Sequence, residues 1–281
     1  MSGEIAFANT ALESFAALVT FVLLFACIAK IKMQRGIKHV TSKEAKRNTL
    51  DYILIIWLVI HMIVLTADVL SWTAMDFGKN EVWLLFMLNL TFTCLSLECM
   101  VYTYYVKETI YQHEKIGNTY VYLVMLSTVI AIILWITSDI SGKFYYLDTQ
   151  GNYTQGSIYW LCQFYCIIVM CGNIVILLKH RKALVRHDVL SLLMYGLIPI
   201  ASIPAQMLWK STTFNLATTL VLIYICISVH MAQYDRIVEQ EKILIQQEHE
   251  LSMNQMQMMI AQIQPHFLYN SLTALAQLCS K

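Results

Sequence analysis

The stretch Tyr52–Trp72 reads YILIIWLVIHMIVLTADVLSW, and within it only His61 and Asp68 carry a side chain that ordinarily charges. An α-helix rises about 1.5 Å per residue, so a run of this length spans the ~30 Å hydrocarbon core of a bilayer. The run lacks the in-out alternation of a barrel strand, and in lipid its backbone amides must then be satisfied inside one helix. Outward from it, six further stretches have the same character: Ala11–Ile31, Val82–Val106, Tyr120–Thr137, Ile158–Leu178, Val189–Trp209 and Phe214–Met231. The sequence therefore predicts an all-α integral membrane protein with seven transmembrane helices in residues 1–231.

Composition points the same way. Hydrophobic residues make up 58% of the chain and charged residues 13%, about half the usual charged share. A net charge of +1 implies no nucleic-acid partner. The N-terminus has Glu4 but no Lys or Arg before Lys30 and no cleavage pattern, so the first stretch is expected to stay as a span rather than leave as a signal peptide.

The basic residues set an expected orientation. With the N-terminus outside, sixteen of the nineteen Lys and Arg fall on the inner side, and only Lys79, Lys143 and Lys210 fall on the outer one. This follows the positive-inside rule at each connection and predicts a plasma-membrane protein with a cytoplasmic C-terminus. The outer connections are too short for a folded sensing domain. The longest, Ser138–Ser157, is rich in aromatics (Phe144, Tyr145, Tyr146, Tyr153), as an interfacial belt or a contact for a small or amphipathic signal would be. Cys162 and Cys166 lie one turn apart, but small apolar packing explains them without a thiol sensor or soft metal. No disulfide framework or protein-bound metal is expected.

Ionisable residues inside lipid are expensive and point to function or to helix–helix bonding. His61 lies about 15 Å and Glu98 about 12 Å from the inner ends of their spans, counting helical rise. Adjacent antiparallel helices bring them to similar depth, so a His61–Glu98 pair is the candidate sensing cluster, with packing alone as the other reading of the same residues. Asp68, Asn89, Gln163, Asn173 and Gln206 add polar contacts in other spans. Pro199 and Pro204 remove backbone donors in the sixth span and are expected to bend it.

Past Met231 the composition turns to Gln, Glu and Met, with no Gly or Pro before Pro265. Ile237, Leu244, Leu251 and Met258 recur every seven residues, the stripe of a weak parallel coiled coil with Glu241, Glu248 and Gln255 at the alternate positions. Residues 232–259 thus read as a signalling helix and 260–281 as the start of a further helical segment, in which Pro265 breaks the ladder and the helix restarts.

That segment contains Gln262, Pro265, His266, Phe267, Leu268, Asn270 and Leu272 in the spacing QxxPHFLxNxL. It resembles the H-box of bacterial sensor histidine kinases of the LytS-type branch. The resemblance implies that His266 is the phosphoacceptor, that Asn270, four residues on and on the same helical face, orients the ring or a phosphate oxygen, and that Pro265 and Phe267 set the ring's surroundings. An imidazole is mostly neutral at cytoplasmic pH and so is available as a nucleophile. The expected partners are a second copy of the chain, a response regulator whose aspartate receives the phosphoryl group, and the lipid membrane.

Lys281 lies fifteen residues past His266, before the second dimerisation helix and the ATP-binding domain that the family carries. No GxGxxG or GxxxxGK[ST] occurs upstream. The chain is therefore expected to bind no cofactor itself, to receive ATP with Mg only through a catalytic domain supplied separately, and to take up no phosphate alone. It reads as a fragment, a short gene product or a sensor with a catalytic partner. The competing readings are a seven-helix receptor without kinase chemistry and a small-solute transporter with a regulatory tail, though the paired broken helices of many transporters are absent from the sequence.

Overall fold

A computed structural model of the chain describes residues 3–35, 42–77, 81–148, 153–209 and 213–279; at some of these, including 162–163 and 262–266, it describes the backbone alone. The elements are α1 (Gly3–Arg35), α2 (Ser42–Phe77), α3 (Glu81–Tyr111), α4 (Thr119–Ile136), α5 (Ser138–Ser141), β1 (Tyr145–Leu147), β2 (Tyr153–Gln155), α6 (Trp160–His180), α7 (Arg186–Trp209) and α8 (Thr213–Cys279). Among the described residues six helices, α1–α4, α7 and α8, contain stretches long and apolar enough to cross a membrane. The protein is an all-α, multi-pass membrane protein. In α6 the described apolar stretch, Phe164–His180, is shorter than in those six.

Several helices outrun their apolar stretches. Helix α2 begins at Ser42, ten residues before Tyr52, because the Ser-Lys-Glu-Ala-Lys-Arg segment has good helix formers. Within it Asp51 receives the Lys30 Nζ of α1 at 2.6 Å, tying the ends of two neighbouring spans. Helix α7 runs through Pro199 and Pro204 without interruption. The Ser202 hydroxyl donates to the Pro199 carbonyl at 2.7 Å. The expected break at Pro265 is absent: α8 is one helix from Thr213 to Cys279. A proline costs one ladder bond and a local clash, which flanking turns of good helix formers can absorb.

The chain forms two compact units, Met1–Ser228 and Val229–Lys281. In the first, α2 packs against both α1 and α3. Its centre is aromatic: Trp57 lies 5.6 Å from Tyr102 and 5.6 Å from Tyr105, and 4.5 Å edge-on from Tyr195, between ring centroids. The Tyr102 hydroxyl donates to the Leu192 carbonyl at 2.8 Å, binding α3 to α7. Lipid-facing surfaces are apolar as well; on α4, Leu123, Leu126, Ile130 and Ile133 are exposed while Val124, Thr128, Ala131 and Trp135 are buried.

The connection 138–157 folds into more than a loop. Gly142, at φ +61°, ends α5 in the left-handed region, and β1 and β2 pair antiparallel with Tyr146 opposite Thr154. Ser138 Oγ donates to the Tyr145 carbonyl at 3.0 Å and accepts from its amide at 3.1 Å. Tyr145 stacks on Phe92 and its hydroxyl donates to Asn89, so the loop's first aromatics are core rather than belt.

Gly172 permits a close helix crossing. The Tyr120 hydroxyl of α4 donates to the Val169 carbonyl of α6 at 3.1 Å, and a Cβ at Gly172 would lie 2.2 Å from that oxygen. Gly172→Ala is therefore expected to expel the Tyr120 ring and destabilise the bundle by about 1–3 kcal/mol. Unfolding of the reconstituted variant in bicelles measures this, and Tyr120→Phe should recover most of the loss.

Candidate intramembrane site

His61 occupies the middle of α2, one turn beyond Trp57, and Glu98 sits one turn before Tyr102 on α3. The aromatic cluster thus seals one side of both residues. His61 Nδ1 and Glu98 Oε1 are 2.7 Å apart, with both side chains almost fully buried. The other ring nitrogen, Nε2, is 2.8 Å from Thr219 Oγ1 of α8.

The direction of these bonds follows from counting protons. The Thr219 hydroxyl has one hydrogen and donates it to the Asn215 carbonyl at 2.8 Å. It must therefore accept from His61, so Nε2 carries a hydrogen. The Nδ1–Oε1 bond then holds a single proton, as imidazolium with carboxylate or as neutral imidazole with carboxylic acid. Either form is neutral overall, and a proton can cross that bond without placing net charge in the membrane.

A second polar group lies two turns along α2. The Asn215 amide of α8 donates at 2.9 Å to Glu13 Oε1 of α1 and at 2.9 Å to Asp68 Oδ2 of α2. The Ser71 hydroxyl donates to the Asp68 carbonyl at 2.7 Å and lies 3.4 Å from Oδ1. Glu13 is fully buried, and its Oε2 has no hydrogen-bond donor. Thr219 and Asn215, one turn apart on α8, join the two groups into one network across α1, α2, α3 and α8.

Of the residues read from sequence, His61, Glu98 and Asp68 belong to this network. Asn173 does not: its Nδ2 donates to Thr103 Oγ1 at 2.9 Å and to the Val169 carbonyl at 3.0 Å, joining α3 to α6. Asn89 belongs to the Tyr145 cluster. Gln163 and Cys162 lie outside the residues whose side chains are described, and Cys166 packs with Cys99, Val124 and Val169. Gln206 is half-buried on α7. Glu13, Asn215 and Thr219 were missed by the sequence reading. Glu13 had a usable signal, being the one charged residue between Ile5 and Ala29; Asn215 and Thr219 looked like ordinary polar residues of a span.

The QxxPHFLxNxL motif is in the second unit. The side chains of Gln262, Pro265 and His266 lie outside the described residues, although the backbone there is helical. Phe267, Leu268 and Asn270 are exposed on α8. Among the described residues no group of three or more His, Cys, Asp or Glu side chains forms a metal-binding cluster.

The sequence matches no protein-family model and no curated protein. Functional assignment thus rests on the residues and their geometry.

Proposed function

We propose that this chain is the membrane sensor part of a two-component histidine kinase. The observation that carries the reading is the continuity of α8: the helix that bears Asn215 and Thr219 in the buried network also bears the QxxPHFLxN motif, with no break between them. A change in the network acts on the one element that reaches His266.

In this reading α6 completes seven spans, the N-terminus lies outside, and residues 232–281 face the cytoplasm at the plasma membrane. Two copies pair along the signalling helix, where Leu244, Leu251 and Met258 present an exposed apolar stripe. A small or amphipathic signal shifts the balance between two packing states of the bundle. A catalytic domain brings ATP and Mg to His266. The imidazole nitrogen attacks the γ-phosphorus, the bond to ADP breaks, and the phosphoryl group then passes to an aspartate of the response regulator. Asn270, one turn on, orients the ring or a phosphate oxygen.

The test supplies ATP, Mg and an intact homologous kinase subunit to the full chain in nanodiscs. His266 is expected to gain acid-labile phosphate, and His266→Gln to lose it entirely. Label that persists in His266→Gln, or no label beside an active subunit, overturns the proposal.

A further inference from the structure

We infer that Glu13 and Asp68, bridged by Asn215, form a proton-binding site inside the membrane, separate from the His61–Glu98 pair. The argument is a count of charges and donors. Both carboxyl groups accept from one neutral amide, each at 2.9 Å. The two oxygens flank the same amide nitrogen, so the carboxyl groups are close neighbours. Two carboxylates repel at that range, whereas a carboxylic acid and a carboxylate share a proton between their oxygens. The second observation is Glu13 Oε2, buried and without a donor among the described residues. A buried carboxylate oxygen left bare is costly, and a proton on the Glu13 carboxyl lowers that cost.

Among the described residues no neighbouring side chain supplies the missing positive charge. Glu13 is alone on its stretch of α1, since no Lys or Arg lies between Ala11 and Ala29. On α2 the stretch Tyr52–Trp72 offers only His61, which is committed to Glu98 and Thr219. On α3 the sole charged group between Val82 and Val106 is Glu98, and on α8 Thr213–Ser228 has no charged residue. Lys30 is bound to Asp51. Two carboxyl groups on one amide donor favour a proton over a metal cation, which needs several oxygens around it.

The site has a consequence for α8. Loss of the shared proton sets two like charges on either side of the Asn215 amide, so the seat of α8 between α1 and α2 depends on proton occupancy. This holds whether or not His266 accepts phosphate, and it is tested without ATP.

The full chain in nanodiscs is examined by infrared spectroscopy for a protonated carboxyl band at neutral pH, and separately by dicyclohexylcarbodiimide, which modifies protonated carboxyls in apolar surroundings. The expected result is a protonated-carboxyl band that survives Glu98→Gln and vanishes when Glu13→Gln/Asp68→Asn is added in that same background. Modification is expected at Glu13 or Asp68, located by peptide mass spectrometry, and at unchanged yield when Na+ replaces choline. The carbodiimide arm uses the unaltered chain, so it stands even where the double variant does not fold. A band that survives Glu13→Gln/Asp68→Asn in the Glu98→Gln background, or no modification at either residue, overturns the proposal, and protection by Na+ assigns the site to a cation instead.

Discussion

His61→Leu lowers the stability of the bundle by about 3–5 kcal/mol, whereas Glu98→Gln lowers it by about 1 kcal/mol. The asymmetry follows from what each substitution leaves behind. Leucine at 61 strands the Glu98 carboxyl in a dry helix interface and leaves Thr219 Oγ1 without its donor. Removing one member of a buried pair is the costly operation, because the survivor keeps its desolvation penalty. Glutamine at 98 is isosteric and can donate its amide hydrogen to Nδ1 of the neutral ring, so a hydrogen bond survives. The double variant His61→Leu/Glu98→Met, which leaves no stranded charge, is expected to recover at least half of the single-variant loss. Equilibrium unfolding in bicelles reads all three. If His61→Leu proves no worse than Glu98→Gln, the pair is not the buried, tightly coupled unit that its 2.7 Å geometry describes.

The second large effect concerns helix α8 as a conductor. One alanine inserted between Gln246 and Gln247 rotates everything beyond it by about 100° and advances it by about 1.5 Å. Seven inserted residues make two turns to within about 20°. On the proposed relay, the single insertion changes His266 labelling at least several-fold and makes it indifferent to Glu98→Gln, while the seven-residue insertion keeps the wild-type response. Labelling beside a homologous kinase subunit is the measurement. Equal behaviour of the two insertions removes the case for transmission through helix phase. The insertion point is on the solvent-exposed part of α8, so helix formation itself is not at stake.

Legibility varied from element to element. Helical spans were readable because a run such as Tyr52–Trp72 has one stable form in lipid. The meeting of His61 with Glu98 was readable by depth, since helical rise converts residue number to ångströms. The faces of the helices were not readable. On α4, Leu123 and Val124 are equally apolar, yet one is exposed and the other buried. In water a polar stripe would separate the two faces; in a membrane the outside is as oily as the core, and packing alone chooses. For the same reason the meeting of Glu13 with Asn215, 202 positions away, was not legible.

The ends of elements also depended on context. The hairpin around Tyr146 and Thr154 lacks the length and alternation that announce a strand, and it exists because Tyr145 docks on Phe92 and Ser138 closes its backbone. Pro265 promised a break that the long helix absorbs.

Sequence by itself determined that this chain enters lipid repeatedly as helices, because hydrocarbon thickness and backbone hydrogen bonding leave no other solution for such runs. Only the tertiary structure decided which buried polar groups meet. Glu13, Asp68 and Asn215 converge, and His61 joins Glu98 to Thr219, through helix neighbours and rotations set by side-chain shape, which a uniformly apolar pattern does not encode.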